Sequence, residues 1–285
     1  MYYYNSVTLK CQQRIGEFIM FDYHTHSHFS ADCSTPMEEM VRAAIERGLI
    51  EIVFTEHIDY DYPDKDFIFE FDLLEYEKSI KALQKKYGES IHIKKGVELG
   101  VQPYLLEQYK QLMSEEQFDF VICSMHTTDK KGLHSGDLFK GRTVEEAYQI
   151  YYEELLYCIK NFDSYHVLGH IDLVKRYSID HPAKDPFHDI ISEIFKVIIP
   201  KGKGIEINTS GVRYGLPNAM PSPDILTLYK QCGGEVLTLG SDAHRISELA
   251  FQFRESLELL TSLGFKYVTT FDKQQPMFHS IDMLV

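Results

Sequence analysis

The sequence predicts an α/β fold on a parallel sheet and, at 285 residues, a closed barrel of strand–helix units. Three observations carry this. Short apolar runs alternate with longer stretches of helical pattern along the chain. Several runs are apolar throughout their middle, as strands buried on both faces are. Seven or eight such units fit a length that suits one large domain. An open doubly wound sheet is the alternative arrangement of the same units.

The strand-like runs are 18–24, 50–57, 91–100, 118–126, 166–170, 204–209, 235–242 and a late one at 267–271. Helical spacing fills 36–48, 70–87, 105–115, 144–162, 188–201, 222–231 and 247–263. The first of these starts at Ser34-Thr35-Pro36, carries Glu38 and Glu39 in its first turn and stops at Gly48, which is the chemistry of a capped helix. Residues 1–17 are polar, lack the apolar segment of a signal peptide and are expected to lie outside the barrel, leaving 18–285 as a single domain.

Composition narrows the function. A net charge of −14 argues against a partner gripped through a nucleic-acid backbone, since proteins that do this are usually basic. An acidic chain still holds a phosphate locally when metal ions stand beside it. No run of about 18 apolar residues exists, so no membrane partner is expected. The five cysteines (11, 33, 123, 158 and 232) are odd in number and show no C-x-x-C spacing, which fits reduced thiols in the cytoplasm.

The chemistry sits at the ends of the runs. Asp22-Tyr23-His24-Thr25-His26, Thr55-Glu56-His57, Gly96-Val97-Glu98, Ser124-Met125-His126, Gly169-His170-Ile171-Asp172 and Gly240-Ser241-Asp242-Ala243-His244 each close one. Six runs thus deliver a metal-type side chain at the same end, the end where barrels build active sites. His and carboxylate suit borderline divalent ions such as Zn, Fe or Mn. Two imidazoles in His-x-His share a face and approach one ion, and a carboxylate such as Glu98 bridges two. Any one of these pieces alone reads as an ordinary polar loop or helix start; their recurrence at one end does not. His28, His92, His134, His166, His181, His188 and His279 read as surface or core histidines, and Cys33 and Cys123 as small apolar neighbours of the site.

In this order, from Asp22 onward, these motifs resemble the polymerase and histidinol phosphatase (PHP) family of metal-dependent phosphoesterases. The resemblance implies a distorted (β/α)7 TIM-like barrel that holds two to three divalent ions. It implies a first ion on His24, His26, Glu98 and Asp242, a second on Glu98, His126 and His170, and a third on Asp32, His57 and His244, with Glu98 and Asp242 holding a metal-bridging hydroxide. Many members carry a His where Asp32 stands. The stretches Gly169-His170-Ile171-Asp172-Leu173-Val174-Lys175-Arg176-Tyr177 and Glu206-Ile207-Asn208-Thr209-Ser210-Gly211-Val212-Arg213 look like the histidinol-phosphate branch. On that resemblance the substrate is the small phosphate ester L-histidinol phosphate, hydrolysed in histidine biosynthesis. The alternative is a phosphoesterase for another small ester or for oligonucleotides.

Arg176 and Arg213 follow the fifth and sixth runs and are the candidate phosphate-binding residues, because guanidinium pairs bidentately with phosphoryl oxygens. Two further readings are weaker. A deaminase barrel also carries His-x-His but usually a ligating lysine, and Lys94 and Lys95 precede Glu98 instead of ending the strand. A metal-binding regulator without activity has no need of so complete a ligand set.

Overall fold

The computed structural model describes residues 20–284; the expected extension 1–17 and Cys11 lie outside the described residues. The chain runs β1 (Met20–Thr25), α1 (Met37–Glu46), β2 (Leu49–Phe54), β3 (His57–Ile58), α2 (Leu73–Tyr87), β4 (His92–Gly100), α3 (Leu106–Glu115) and β5 (Phe120–Ser124). A small ribbon of β6 (Thr127–Thr128) and β7 (Lys131–Gly132) precedes α4 (Val144–Asn161), β8 (Val167–Leu168), α5 (His188–Ile198) and β9 (Gly204–Asn208). The single turn α6 (Ser210–Arg213), then α7 (Pro223–Gln231), β10 (Leu237–Gly240), α8 (Phe253–Ser262) and the hairpin of β11 (Tyr267–Asp272) and β12 (Gln275–Ser280) complete it.

Seven strands lie side by side in the order β1-β2-β4-β5-β8-β9-β10, each pair parallel. The circle closes at the C-terminal rim. There Thr25 bridges Ala243, the Asp242 N–H donates to His24 O at 2.7 Å and the His26 N–H donates to Ala243 O at 2.9 Å. This is the barrel expected from the sequence. β5, β9 and β10 are buried at every residue, which explains why their runs are apolar without alternation. β2 and β3 are one pass of chain on β4, with Phe54 opposite Lys95 and His57 opposite Glu98, so the predicted run 50–57 is interrupted only at Thr55 and Glu56.

The helices start where their caps say. Thr143 accepts from the Glu146 N–H while Glu146 returns to the Thr143 N–H, a reciprocal pair that opens α4. Asp72 accepts from the N–H groups of Leu74 and Glu75 and opens α2. α1 has no side-chain cap; the Pro36 carbonyl takes the first amides, and Gly48 at φ +77° ends the turn. The predicted helix 247–263 is divided into a 3₁₀ turn at Ile246–Glu248 and α8.

The late run 267–271 is β11, and it is not a barrel strand. Lys273 and Gln274 both have positive φ (47° and 64°), the geometry of a two-residue hairpin turn, and they return the chain antiparallel as β12. The hairpin packs across the N-terminal end of the barrel. Phe271 meets the rings of Phe120 and His166 at centroid distances of 5.2 Å and 4.8 Å, and Gln274 donates to the Phe118 carbonyl. Among the described residues no helix is long and apolar enough to cross a membrane.

Candidate metal centre

Every barrel strand except β9, with β2 and β3 taken as one, ends by turning one or two ligand-type side chains onto the open C-terminal mouth. β1 supplies His24 and, just beyond it, His26; β3 supplies His57; β4 supplies Glu98. His126 and His170 stand two residues past β5 and β8, and Asp242 and His244 follow β10. Asp32 reaches in from the loop after β1. Glu98, His24 and His26 have no exposed surface, so the centre of this polar cluster is buried beneath the mouth. Asp242 takes a left-handed backbone at φ 53°, which Asp tolerates better than most residues and which lets its amide pair with β1.

The donor atoms converge. His24 Nε2 lies 3.0 Å from His26 Nε2 and 3.0 Å from Glu98 Oε2. His26 Nε2 lies 3.6 Å from Glu98 Oε2 and 3.4 Å from Asp242 Oδ1, and His24 Nε2 lies 3.7 Å from Asp242 Oδ1. A tetrahedron with metal–ligand bonds of about 2.0–2.1 Å has edges of roughly 3.3 Å, and these five separations scatter about that value. The other Glu98 oxygen, Oε1, faces a second group: His170 Nε2 at 2.9 Å and His126 Nε2 at 3.2 Å, themselves 3.4 Å apart. Imidazole nitrogens pointed at one another repel unless a proton or a cation lies between them, so the donor set fits bound cations.

A third set gathers at the outer edge. Asp32 Oδ2 lies 3.1 Å from His244 Nε2 and 3.7 Å from His57 Nε2, and the rings of His57 and His244 both stack on His26 at 4.3 Å. His57 also turns Nδ1 to Glu98 Oε2 at 3.1 Å, so it touches the central carboxylate as well as the outer set. The residues able to share one ion therefore overlap: His24, His26 and Asp242; His57, Glu98 and His126; His26, His57 and His244.

The electrostatics follow from burial set against neighbours. Burial alone disfavours every charge here, but Glu206, Glu98 and Asp242 hold the His24 imidazole well above its ordinary pKa. His126 is raised in the same way, against burial, by Asp59 and Glu98. Burial would lift Glu98 and Asp242, yet the surrounding imidazoles hold both carboxyls well below their usual range. His26 goes the other way: burial and then the imidazoles of His244 and His57 push it down. His244, despite burial, is pushed up to about 9 by Asp32 and then Asp242.

A second layer of carboxylates holds these rings in place, and sequence reasoning assigned it no role. Glu206 accepts from His24 Nδ1 at 2.5 Å and, through its other oxygen, from the His170 N–H at 3.0 Å. Asp59 stands 2.7 Å from His126 Nδ1. Glu56 takes Ser27 and Ser30, and Asp22 takes the Ser241 and Ala250 amides. Burial raises both of these carboxyls. Gly240 is required by this arrangement, since a Cβ there would lie 2.2 Å from Glu206 Oε1. The only sequence signal for Glu206 was an acid in the middle of an apolar strand, which costs free energy unless it is paired.

The two arginines fall in different settings. Arg213 donates to the carbonyls of Ser241 and Asp242, both at 2.7 Å, and so braces the loop that carries Asp242. Arg176 lies over the Tyr214 ring. Cys33 donates to the His244 carbonyl, while Cys123 is buried within β5. Of the histidines read as bystanders, His166 stacks on Phe120 and accepts from the Val121 N–H, and His28 accepts from the Met37 N–H.

Residues 22–210, two thirds of the chain, match the sequence model of the PHP domain. The chain belongs to the PHP domain family. Among curated PHP relatives, the histidinol-phosphatase of Lactococcus lactis is 34% identical over 88% of this chain and 93% of its own length. A probable histidinol-phosphatase of Clostridium acetobutylicum is 30% identical over 88% of this chain and 96% of its own. The crystal structure of the Lactococcus lactis histidinol phosphate phosphatase, complexed with zinc, L-histidinol and phosphate, superposes with a TM-score of 0.78. It is 32% identical and covers 90% of this PHP chain and 98% of that one. A putative histidinol phosphatase structure from Listeria monocytogenes, 21% identical with a TM-score of 0.69 over 83% of this chain and 99% of that one, shares the fold.

Proposed function

We propose that this protein is a metal-dependent phosphatase that hydrolyses L-histidinol phosphate to L-histidinol and inorganic phosphate in histidine biosynthesis. The observation that carries the reading is Glu98, a fully buried carboxylate with one oxygen among His24, His26 and His57 and the other between His126 and His170. A site for more than one cation accounts for that arrangement. The Lactococcus lactis and Clostridium acetobutylicum relatives, matched over nearly their whole length, are named as a histidinol-phosphatase and a probable histidinol-phosphatase, which supports the substrate.

In this reading His24, His26, Glu98 and Asp242 hold one ion, Glu98, His126 and His170 a second, and Asp32, His57 and His244 a third. The ions are two to three in number and drawn from Zn, Fe and Mn. Divalent ions bound here lower the pKa of water and neutralise charge on the phosphoryl oxygens. The chain's own residues do the rest. Glu206 and Asp59 accept the Nδ1 protons of His24 and His126, which turns each Nε2 lone pair toward the centre. Arg176 and Arg213 are the proposed partners of the phosphoryl oxygens, Arg213 while it braces Asp242 through two of its five donors. The four described cysteines are unpaired, in keeping with a cytoplasmic enzyme.

A substrate panel on metal-replete protein tests the proposal. Histidinol phosphate should exceed a generic aryl phosphate in kcat/KM by at least roughly tenfold, a difference of about 1.4 kcal/mol in transition-state binding. Faster turnover of oligonucleotides than of either ester would refute it.

A further inference from the structure

Ser30 lies in the loop that joins β1 to α1, between His26 and Asp32, and is buried. Its hydroxyl has one proton to give and two lone pairs with which to accept. All three are taken. Ser30 Oγ donates to Glu56 Oε2 at 2.6 Å, accepts the His57 N–H at 3.1 Å and stands 3.1 Å from His26 Nδ1. Glu56 Oε2 also accepts the Ser27 N–H at 3.0 Å, while Glu56 Oε1 takes the Ser27 hydroxyl. The oxygen that faces Ser30 is thus an acceptor, and the Ser30 proton is committed to it.

That commitment fixes the direction of the remaining contact. Ser30 Oγ accepts from His26 Nδ1, so His26 carries its proton there and turns a bare Nε2 toward Glu98 and Asp242. His24 and His126 meet the same need with carboxylates, Glu206 and Asp59. His26 meets it with a hydroxyl, whose accepting power is raised by the carboxylate behind it. Stacking cannot make this choice. The rings of His57 and His244 each lie 4.3 Å from that of His26. A half-turn of the His26 ring about its Cβ–Cγ bond keeps the ring plane, and so both stacking contacts, but moves the nitrogens to carbon positions. The hydrogen bond to Ser30 is what selects the orientation.

We propose that Ser30, backed by Glu56, is a positioning residue for two of the ion sets at once. Through His26 Nδ1 it orients a ligand of the first ion, and through the His57 amide it holds the start of β3, whose imidazole belongs to the third. This rests on the metal reading of the cluster. Ser30 itself holds no ion; it acts through the two imidazoles, and it ties the first set to the outer one by a single oxygen. Partners of this kind behind a ligating imidazole are worth about 10- to 100-fold in metal affinity.

Zinc titration of the chelator-stripped, full-length protein tests this, together with imidazole nitrogen NMR of the zinc-loaded form. In the unaltered protein the His26 ring should be protonated at Nδ1 and bound to zinc through Nε2. Ser30→Ala should weaken zinc binding by roughly 10- to 100-fold. Ser27→Ala takes a hydroxyl from the same carboxylate but leaves the His26 contact in place, so it should keep zinc affinity near that of the unaltered protein. A His26 ring protonated at Nε2, or ligating through Nδ1, would overturn the proposal even if Ser30→Ala failed to fold. Equal losses in the two serine variants would overturn it too, since a merely structural role predicts them. Zinc held as tightly by Ser30→Ala as by the unaltered protein would remove Ser30 from the account and leave the metal reading standing. An unaltered protein that binds no zinc would overturn both.

Discussion

At the scale of single residues, the site depends on carboxylates sealed among imidazoles, and Glu98 is the one that the others share. Glu98→Gln keeps the shape and removes the charge. Two groups of imidazoles would then face a neutral amide, and the ions proposed on either side would lose their common ligand. Activity should fall by roughly 100-fold or more, the scale of losing one preorganised electrostatic partner, and elemental analysis should find less metal per chain. A variant with normal turnover and normal metal content would show that Glu98 bridges nothing.

The imidazoles also set a pH dependence. A ligating imidazole must be neutral, so each ion competes with protons. His24, His126 and His244 are all raised by their carboxylate neighbours, His244 to about 9, so without an ion they hold protons at pH values where free imidazole has lost them. Zinc affinity should therefore climb with pH from the acid side through neutrality to about 9, where His244 gives up its proton. Titrations in buffers of different ionisation enthalpy should detect proton release at pH 7. An affinity that is flat with pH between 6 and 9 would contradict the reading. At this scale the members of the cluster were legible in the sequence, because His24, His57, Glu98, His126, His170 and Asp242 each end or follow an apolar run. Glu206 and Asp59 were not, because nothing in sequence tells a supporting acid from any other until the partner ring, 182 residues away for Glu206, is seen beside it.

At the scale of elements, strand ends deliver chemistry because seven short parallel strands all point the same way. The periodicity of the runs revealed those strands; it did not reveal what seals the opposite end. β11 has the apolar content of a barrel strand, and its turn, Lys273-Gln274, lacks the Asn-Gly or Asp-Gly signature of the conformation it adopts. Only the packing of Phe271 against Phe120 and His166 gives the hairpin its role as a plug. Phe271→Ala should therefore cost stability, about 3–5 kcal/mol for a buried aromatic, read by denaturant unfolding. Metal content should be unchanged, since the ring lies at the end of the barrel away from the ligands. Loss of metal with stability kept would place the hairpin's influence at the mouth instead.

At the scale of the whole molecule, a chain of net charge −14 gathers its imidazoles into one cluster, where they and the cations proposed there offset the acid groups. The fold was legible because alternation and buried runs pointed to a parallel sheet and the length favoured closing it, and the clustering followed from the fold. The central claim is that cations held by this cluster make the protein a phosphatase for histidinol phosphate. Turnover of L-histidinol phosphate by chelator-stripped protein, before and after zinc or manganese is restored, tests it most directly. The account predicts negligible release of phosphate from the stripped protein and full recovery with two to three ions per chain. Undiminished turnover in the stripped protein, or none after the ions are restored, would contradict it.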